Sequence, residues 1–244
     1  MAKLWMFGDS FLAPWTRGFQ EFGNQDRYIA REKKEGNDYI GDLEYWLKKT
    51  FDDKKVYLVV KNHAKGGYSN ESILNSVDRN FDMINRADIV ILSSTLTSRI
   101  TTVNLDMEKI INVNFPHIDN TDSESYKGYQ KYISENCFFD LDYLEKKGVE
   151  QMTRPFLVNL IEKYKLYIKA IRLKGAYPIF LTIDADLKPH TDIPSLFFSN
   201  EGTFEPIFSK YPEINDAHPT YESNKKIAEK IVEFVMKDYI PILT

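Results

Sequence analysis

Four short, uninterrupted apolar runs constrain this chain more than anything else in it: Leu4–Phe7, Val56–Val60, Ile89–Leu92 and Ile179–Ile183. Continuous rather than alternating hydrophobicity is the mark of strands buried on both faces, which is the situation in a parallel sheet. Between and after the runs lie segments with helical period. Ile40, Leu43 and Leu47 mark one face, and Ile73, Val77, Phe81 and Ile84 a second. Leu157, Leu160, Ile161, Tyr164, Ile168 and Ile171 form a longer stripe, and Ile227, Ile231, Phe234 and Val235 the last. Each set follows the i, i+3, i+4, i+7 rule of an amphipathic helix. Strands alternating with helices predict a parallel α/β sheet covered on both faces by right-handed crossovers.

Two stretches break the pattern, about 100–151 and 184–215. The first is polar and dotted with Phe115, Tyr126, Tyr129, Tyr132, Phe138, Phe139 and Tyr143; the second carries several prolines and no clear period. Insertions of this length carry either a function or a small structure of their own. With 244 residues, 43% of them hydrophobic, one domain over 1–244 with two insertions is expected. The spacing of Tyr126, Tyr129 and Tyr132 suggests one helical face, read first as local packing and second as a platform for sugar rings.

In an open parallel sheet, ligands sit at the carboxyl ends of the strands. Ser10 follows the first run, Gly66-Gly67 the second and Ser93–Arg99 the third, so three loops converge on one edge. A serine hydroxyl becomes a useful nucleophile only when a base takes its proton and a further group orients that base. Of the four histidines, His63, His117, His190 and His218, the last stands out. Asp216 precedes it by two residues, Pro219 follows it, and Thr220 is placed to cap the last helix. A short Asp-x-His loop lets the carboxylate reach Nδ1 and leaves Nε2 for the serine. His63, His117 and His190 read as loop or surface residues, and Asp184 and Asp186 as loop caps rather than a metal site.

Gly8-Asp9-Ser10-Phe11, Gly67 in a Gly-x-Ser-Asn turn, and Asp216-x-His218-Pro219 together resemble the SGNH (GDSL) hydrolase family, over nearly the whole chain. The resemblance implies a three-layer α/β/α sandwich with a flavodoxin-like parallel sheet. It also implies hydrolysis of ester-linked acyl groups, without a cofactor or metal. Carried over by position, Ser10 is the nucleophile, His218 the general base and Asp216 its orienting acid, with the N–H groups of Ser10 and Gly67 as the oxyanion hole. Asp9 reads as structural, bonding loop backbone, and Ser69 or Asn70 as the cap of the helix after Gly67.

The chain departs from the family after the third run, where an asparagine usually donates to the oxyanion. Here the turn is Ser93-Ser94-Thr95-Leu96-Thr97-Ser98-Arg99. Thr95 or Ser94 would replace the missing amide, and Arg99 would hold substrate or brace the loop. Asn215 stands where a longer Asp-x-x-His pattern puts its acid, so Asp216 is preferred on charge. The expected activity is a short-acyl (O-acetyl) esterase acting on a carbohydrate. An acyltransferase, or a degenerate domain that binds a glycan or protein, is the alternative.

A net charge of −4 gives no basic footprint for nucleic acid and no polybasic membrane anchor. No apolar run approaches the roughly 20 residues of a membrane span. The lone Cys137 excludes an internal disulfide framework and reads as a buried structural thiol. With no charged-then-apolar leader, a cytoplasmic location is the default expectation, a phage or secreted origin staying open.

Overall fold

The computed structural model describes residues 2–14, 24–37, 41–97, 99–108, 110–114, 124–182, 195–197, 204–214 and 216–239. In chain order its elements begin β1 (Lys3–Phe7), α1 (Asn24–Lys34), α2 (Leu43–Asp53), β2 (Val59–Asn62), α3 (Asn70–Asn80) and β3 (Ile89–Ser93). There follow β4 (Arg99–Val103), β5 (Ile110–Asn114), α4 (Glu124–Asn136), α5 (Leu141–Gln151) and α6 (Arg154–Leu173). The chain closes with β6 (Tyr177–Thr182), β7 (Ser195–Phe197), α7 (Ile207–Lys210) and α8 (Tyr221–Asp238). The main sheet has the order β2-β1-β3-β6-β7 with every neighbour parallel. Counted by strand within the sheet this is 2-1-3-4-5, the flavodoxin-like order.

Successive residues of a strand face opposite ways, and the two cores divide accordingly. On one face Leu4, Met6, Ile89, Ile91, Ile179 and Leu181 meet Leu43, Leu47 and Phe51 of α2 and Ile227, Ile231 and Val235 of α8. On the other, Trp5, Phe7, Val90, Leu92 and Phe180 meet Ile73 and Val77 of α3 and Leu160, Tyr164, Ile168 and Ile171 of α6. The result is a three-layer α/β/α sandwich. Burying a Leu or Ile side chain of this kind contributes about 1.5–3 kcal/mol, so the apolar runs and stripes hold the layers together.

Three of the four strands lie where the apolar runs predict them. The second does not: pairing starts at Val59, because β1 begins at Lys3 and the register sets Lys3 opposite Val59. β2 is therefore an edge strand with exposed positions, Val59 being 39% exposed, rather than a fully buried one. The insertion at 100–151 has its own structure. β4 and β5 form an antiparallel hairpin, packed with α4 and α5 around Ile100, Val113, Ile133, Cys137 and Leu144. Cys137 is buried there, and burial pushes its thiol pKa up. Tyr132 lies on α4 but is 45% exposed, so it is not part of that packing. Of the insertion at 184–215, β7 and α7 are described; Ile40, Ser98, Phe115, His117, Ile183, Asp184, Asp186, His190 and Asn215 lie outside the described residues. Among the described residues, no helix is long and apolar enough to cross a membrane.

Candidate active site

In this sheet order the chain reverses its direction of progress between β1 and β3, the position at which open α/β sheets of this kind receive ligands. The first of them carries Ser10. β1 ends against β3 so closely that a Cβ on residue 8 would stand 3.0 Å from Ser93 Cβ, which explains the glycine. Asp9 then organises a tight turn: its carbonyl accepts from Leu12 N at 3.1 Å and Ala13 N at 3.0 Å, and its Oδ1 from Phe11 N at 3.1 Å. Ser10 sits within this turn, 1% exposed, and its Oγ makes no hydrogen bond among the described residues.

Asp216 and His218 arrive from the opposite end of the chain. Phe208 N donates to Asp216 O at 3.0 Å, Ile207 N to His218 O at 2.9 Å, and Thr220 N to Glu205 O at 2.9 Å. The loop is thus laced to residues 205–208 before α8 begins. Thr220 caps α8, accepting from Ser223 N at 3.3 Å. Within the loop, Asp216 Oδ1 lies 2.6 Å from His218 Nδ1 and accepts from His218 N at 2.8 Å. With the Nδ1 proton donated to the carboxylate, Nε2 is the basic nitrogen. The His218 ring stacks on Phe11, centroids 4.9 Å apart, so the imidazole lies against the residue next to Ser10.

The turn after β3 differs from expectation. A hydroxyl has one proton to donate, and both candidates spend it inside the protein. Ser94 Oγ donates to Thr182 Oγ1 at 2.6 Å, and Thr95 Oγ1 to Asp9 Oδ2 at 2.6 Å. Neither Ser94 nor Thr95 offers a free donor in place of the missing amide. Arg99 braces: its Nη1 donates to Asp9 Oδ2 at 2.6 Å, Thr95 Oγ1 at 2.8 Å and Tyr68 O at 3.3 Å. The guanidinium thus ties the loops after β1, β2 and β3 together, and Asp9, wholly buried, gains its counter-charge.

An asparagine does serve this turn, from elsewhere. Ser69 caps α3 by accepting from Ser72 N at 3.2 Å, which leaves the Asn70 side chain for other work. Its Nδ2 donates to Thr95 O and its Oδ1 accepts from Thr95 N, both at 2.9 Å. Oδ1 also accepts from Tyr164 at 2.8 Å. Tyr164 is fully buried, and desolvation with the nearby Asp9 charge raises its pKa well above the ordinary value. Spacing alone carries no sign of this contact, because Asn70 and Tyr164 are 94 residues apart. Asn70→Ala leaves the Thr95 amide and carbonyl unpaired, and should lower stability by about 1–3 kcal/mol in urea unfolding.

Gly67 lies in the loop after β2 with φ +77°, a conformation that glycine adopts without strain. No atom lies within 4 Å of where its Cβ would be, so φ rather than crowding accounts for it. The loop is anchored to the Ser10 turn by Lys65 N, which donates to Gly8 O at 3.2 Å. Gly67 also borders a cleft of about 610 Å³, whose walls include Lys65, Asn75, Arg79, Asn112 and Tyr132. Ser10 and His218 do not line that cleft; Gly67 is where it adjoins the predicted site. Among the described residues, no group of three or more His, Cys, Asp or Glu side chains is placed to hold a metal ion.

His63, which follows β2, stacks on Trp5 and Phe7, at 5.6 and 5.5 Å. Burial, and secondarily the Lys61 charge, hold its pKa below 6.5. The unfolded chain binds a proton at His63 in a range where the folded protein refuses it. His63 therefore contributes stability above about pH 6.5 that is lost as the pH falls through the lowered folded value. The urea midpoint should drop between pH 7.5 and 5.5, and less so in His63→Phe. Equal drops in the two proteins would refute this.

No protein-family model matches the chain, and no curated protein matches it. Among solved structures, it is similar to the crystal structure of protein YXIM from Bacillus subtilis, with a TM-score of 0.48 and 12% identity, over 98% of this chain. The chain spans 57% of that protein's length.

Proposed function

We propose that the chain is a serine hydrolase of the SGNH (GDSL) type, acting on short acyl esters, O-acetyl above all, of a carbohydrate. The observation that carries this reading is the Asp216–His218 pair at 2.6 Å, its ring stacked on Phe11 next to Ser10, whose hydroxyl makes no hydrogen bond among the described residues. In this reading Ser10 Oγ attacks the acyl carbon as His218 Nε2 takes its proton. The N–H groups of Ser10 and Gly67 receive the oxyanion; such preorganised donors are worth roughly 3–4 kcal/mol each. The alcohol leaves with the proton from His218, and water, activated by the same nitrogen, releases the acid. If another alcohol takes the place of water, the enzyme is an acyltransferase by the same steps.

A binding module of the same fold is the second reading, favoured by the spent hydroxyls of Ser94 and Thr95. A fluorophosphonate probe with mass spectrometry, beside a 4-nitrophenyl acetate assay, separates the two. The esterase predicts a single adduct on Ser10 and turnover of the ester. No adduct and no turnover of any ester would leave the binding module.

A further inference from the structure

The cleft of about 610 Å³ beside Gly67 is built by three separate parts of the chain: the loop after β2, the outer face of α3, and the β4–β5 hairpin with α4. The hairpin is held there by Asn112, whose Oδ1 accepts from Ser69 N at 3.2 Å and Ser72 Oγ at 2.8 Å. Its charges are unusual for an acidic chain. Lys65 and Arg79 both line it, and neither side chain makes an ion pair or hydrogen bond among the described residues. Glu108 lines it as well, and its carboxylate is equally unengaged. Tyr132 presents an exposed ring, and Asn75 and Ser76 add amide and hydroxyl groups.

Each of these groups fits a part of one kind of ligand. A guanidinium pairs with a carboxylate through two parallel hydrogen bonds, and an ammonium adds a point charge. A carboxylate such as that of Glu108 accepts from neighbouring hydroxyls of a diol, while an aromatic face covers the C–H face of a sugar ring. A lipid chain would bury Lys65, Arg79 and Glu108 against hydrocarbon, and a nucleic acid would find too little positive charge. We propose that this cleft holds the alcohol half of the substrate, and that this half is an acidic sugar, a hexuronate or a chain of them. Arg79 and Lys65 take the carboxylate, Glu108 the ring hydroxyls, and Tyr132 the ring face. As the alcohol half of an ester, the assignment rests on the esterase reading above; as a binding site, it stands by itself.

The test is calorimetric titration of the full chain with trigalacturonate and with neutral galactotriose, together with turnover of 4-nitrophenyl acetate. Wild type should bind the acidic trisaccharide at least about tenfold more tightly, and 0.5 M salt should remove most of that preference. Arg79→Ala should abolish the preference, and Tyr132→Ala should weaken both sugars alike. Equal binding of both sugars, or a preference surviving in Arg79→Ala, overturns the proposal even where esterase activity is present. Acid-selective binding with no ester turnover upholds the site and refutes the esterase reading instead.

Discussion

Replacing Ser10 by alanine is expected to lower kcat on 4-nitrophenyl acetate by on the order of 10⁴–10⁶-fold, because nucleophile and base act as a unit. His218→Ala should cost about as much, and the double variant hardly more than either alone. Asp216→Asn should cost less, on the order of 10⁴-fold, since the imidazole persists but loses the carboxylate charge that fixes its tautomer and stabilises the imidazolium. In none of the three should the melting temperature fall enough to explain the loss. Ser10 Oγ makes no hydrogen bond among the described residues, so its removal breaks none of them. The Asp216–His218 loop is held by backbone bonds to residues 205–208 rather than by the ring. Ser10→Ala with full activity would end the nucleophile assignment.

Arg99→Leu is the substitution expected to damage the fold most. Asp9 is fully buried, and Arg99 is its partner at 2.6 Å. Deleting one member of such a pair strands the other charge and costs about 3–5 kcal/mol. For a chain of this size that is a fall of about 10 °C in melting temperature. Asp9→Asn with Arg99→Leu should recover part of the loss, since the stranded charge is gone, and a double-mutant cycle reads the coupling directly. Additive losses, with no recovery, would show that the ion pair is not what holds these loops. Because Asp9 also shapes the turn around Ser10, activity should fall in Arg99→Leu even at temperatures where the protein stays folded.

The sandwich was legible because its central strands are pure runs. Leu4–Phe7 and Ile89–Leu92 are buried on both faces, and nothing but a strand between two helical layers suits them. β2 was harder. As an edge strand it includes Lys61 and Asn62, which break the apolar run that marks it. The β4–β5 hairpin escaped for the opposite reason. Arg99-Ile100-Thr101-Thr102-Val103 alternates between partly open and buried positions, and its threonines make it look like loop. At the site, local spacing revealed what local geometry decides: Asp216 two residues before His218, with Thr220 capping the next helix. It could not reveal that Asn70 would reach Thr95, or that Arg99 would choose Asp9. Those contacts depend on the separation between β1, β2 and β3, which only the assembled sheet defines.

The β4–β5 hairpin with α4 and α5 encloses an apolar cluster separate from the two that sandwich the main sheet. Its polar seam with α3 runs through Asn112, Ser69, Ser72 and Thr101. The part that builds the far wall of the cleft is thus a cassette with its own interior, joined to α3 of the main sandwich through the Asn112 amide and a few hydroxyls. Changes inside Ile100, Val113, Ile133 or Leu144 can tilt or reshape that wall while Leu4, Met6, Trp5 and Phe7 register nothing. A lineage carrying this architecture can therefore exchange what it grips without renegotiating the scaffold from which Ser10 and His218 hang.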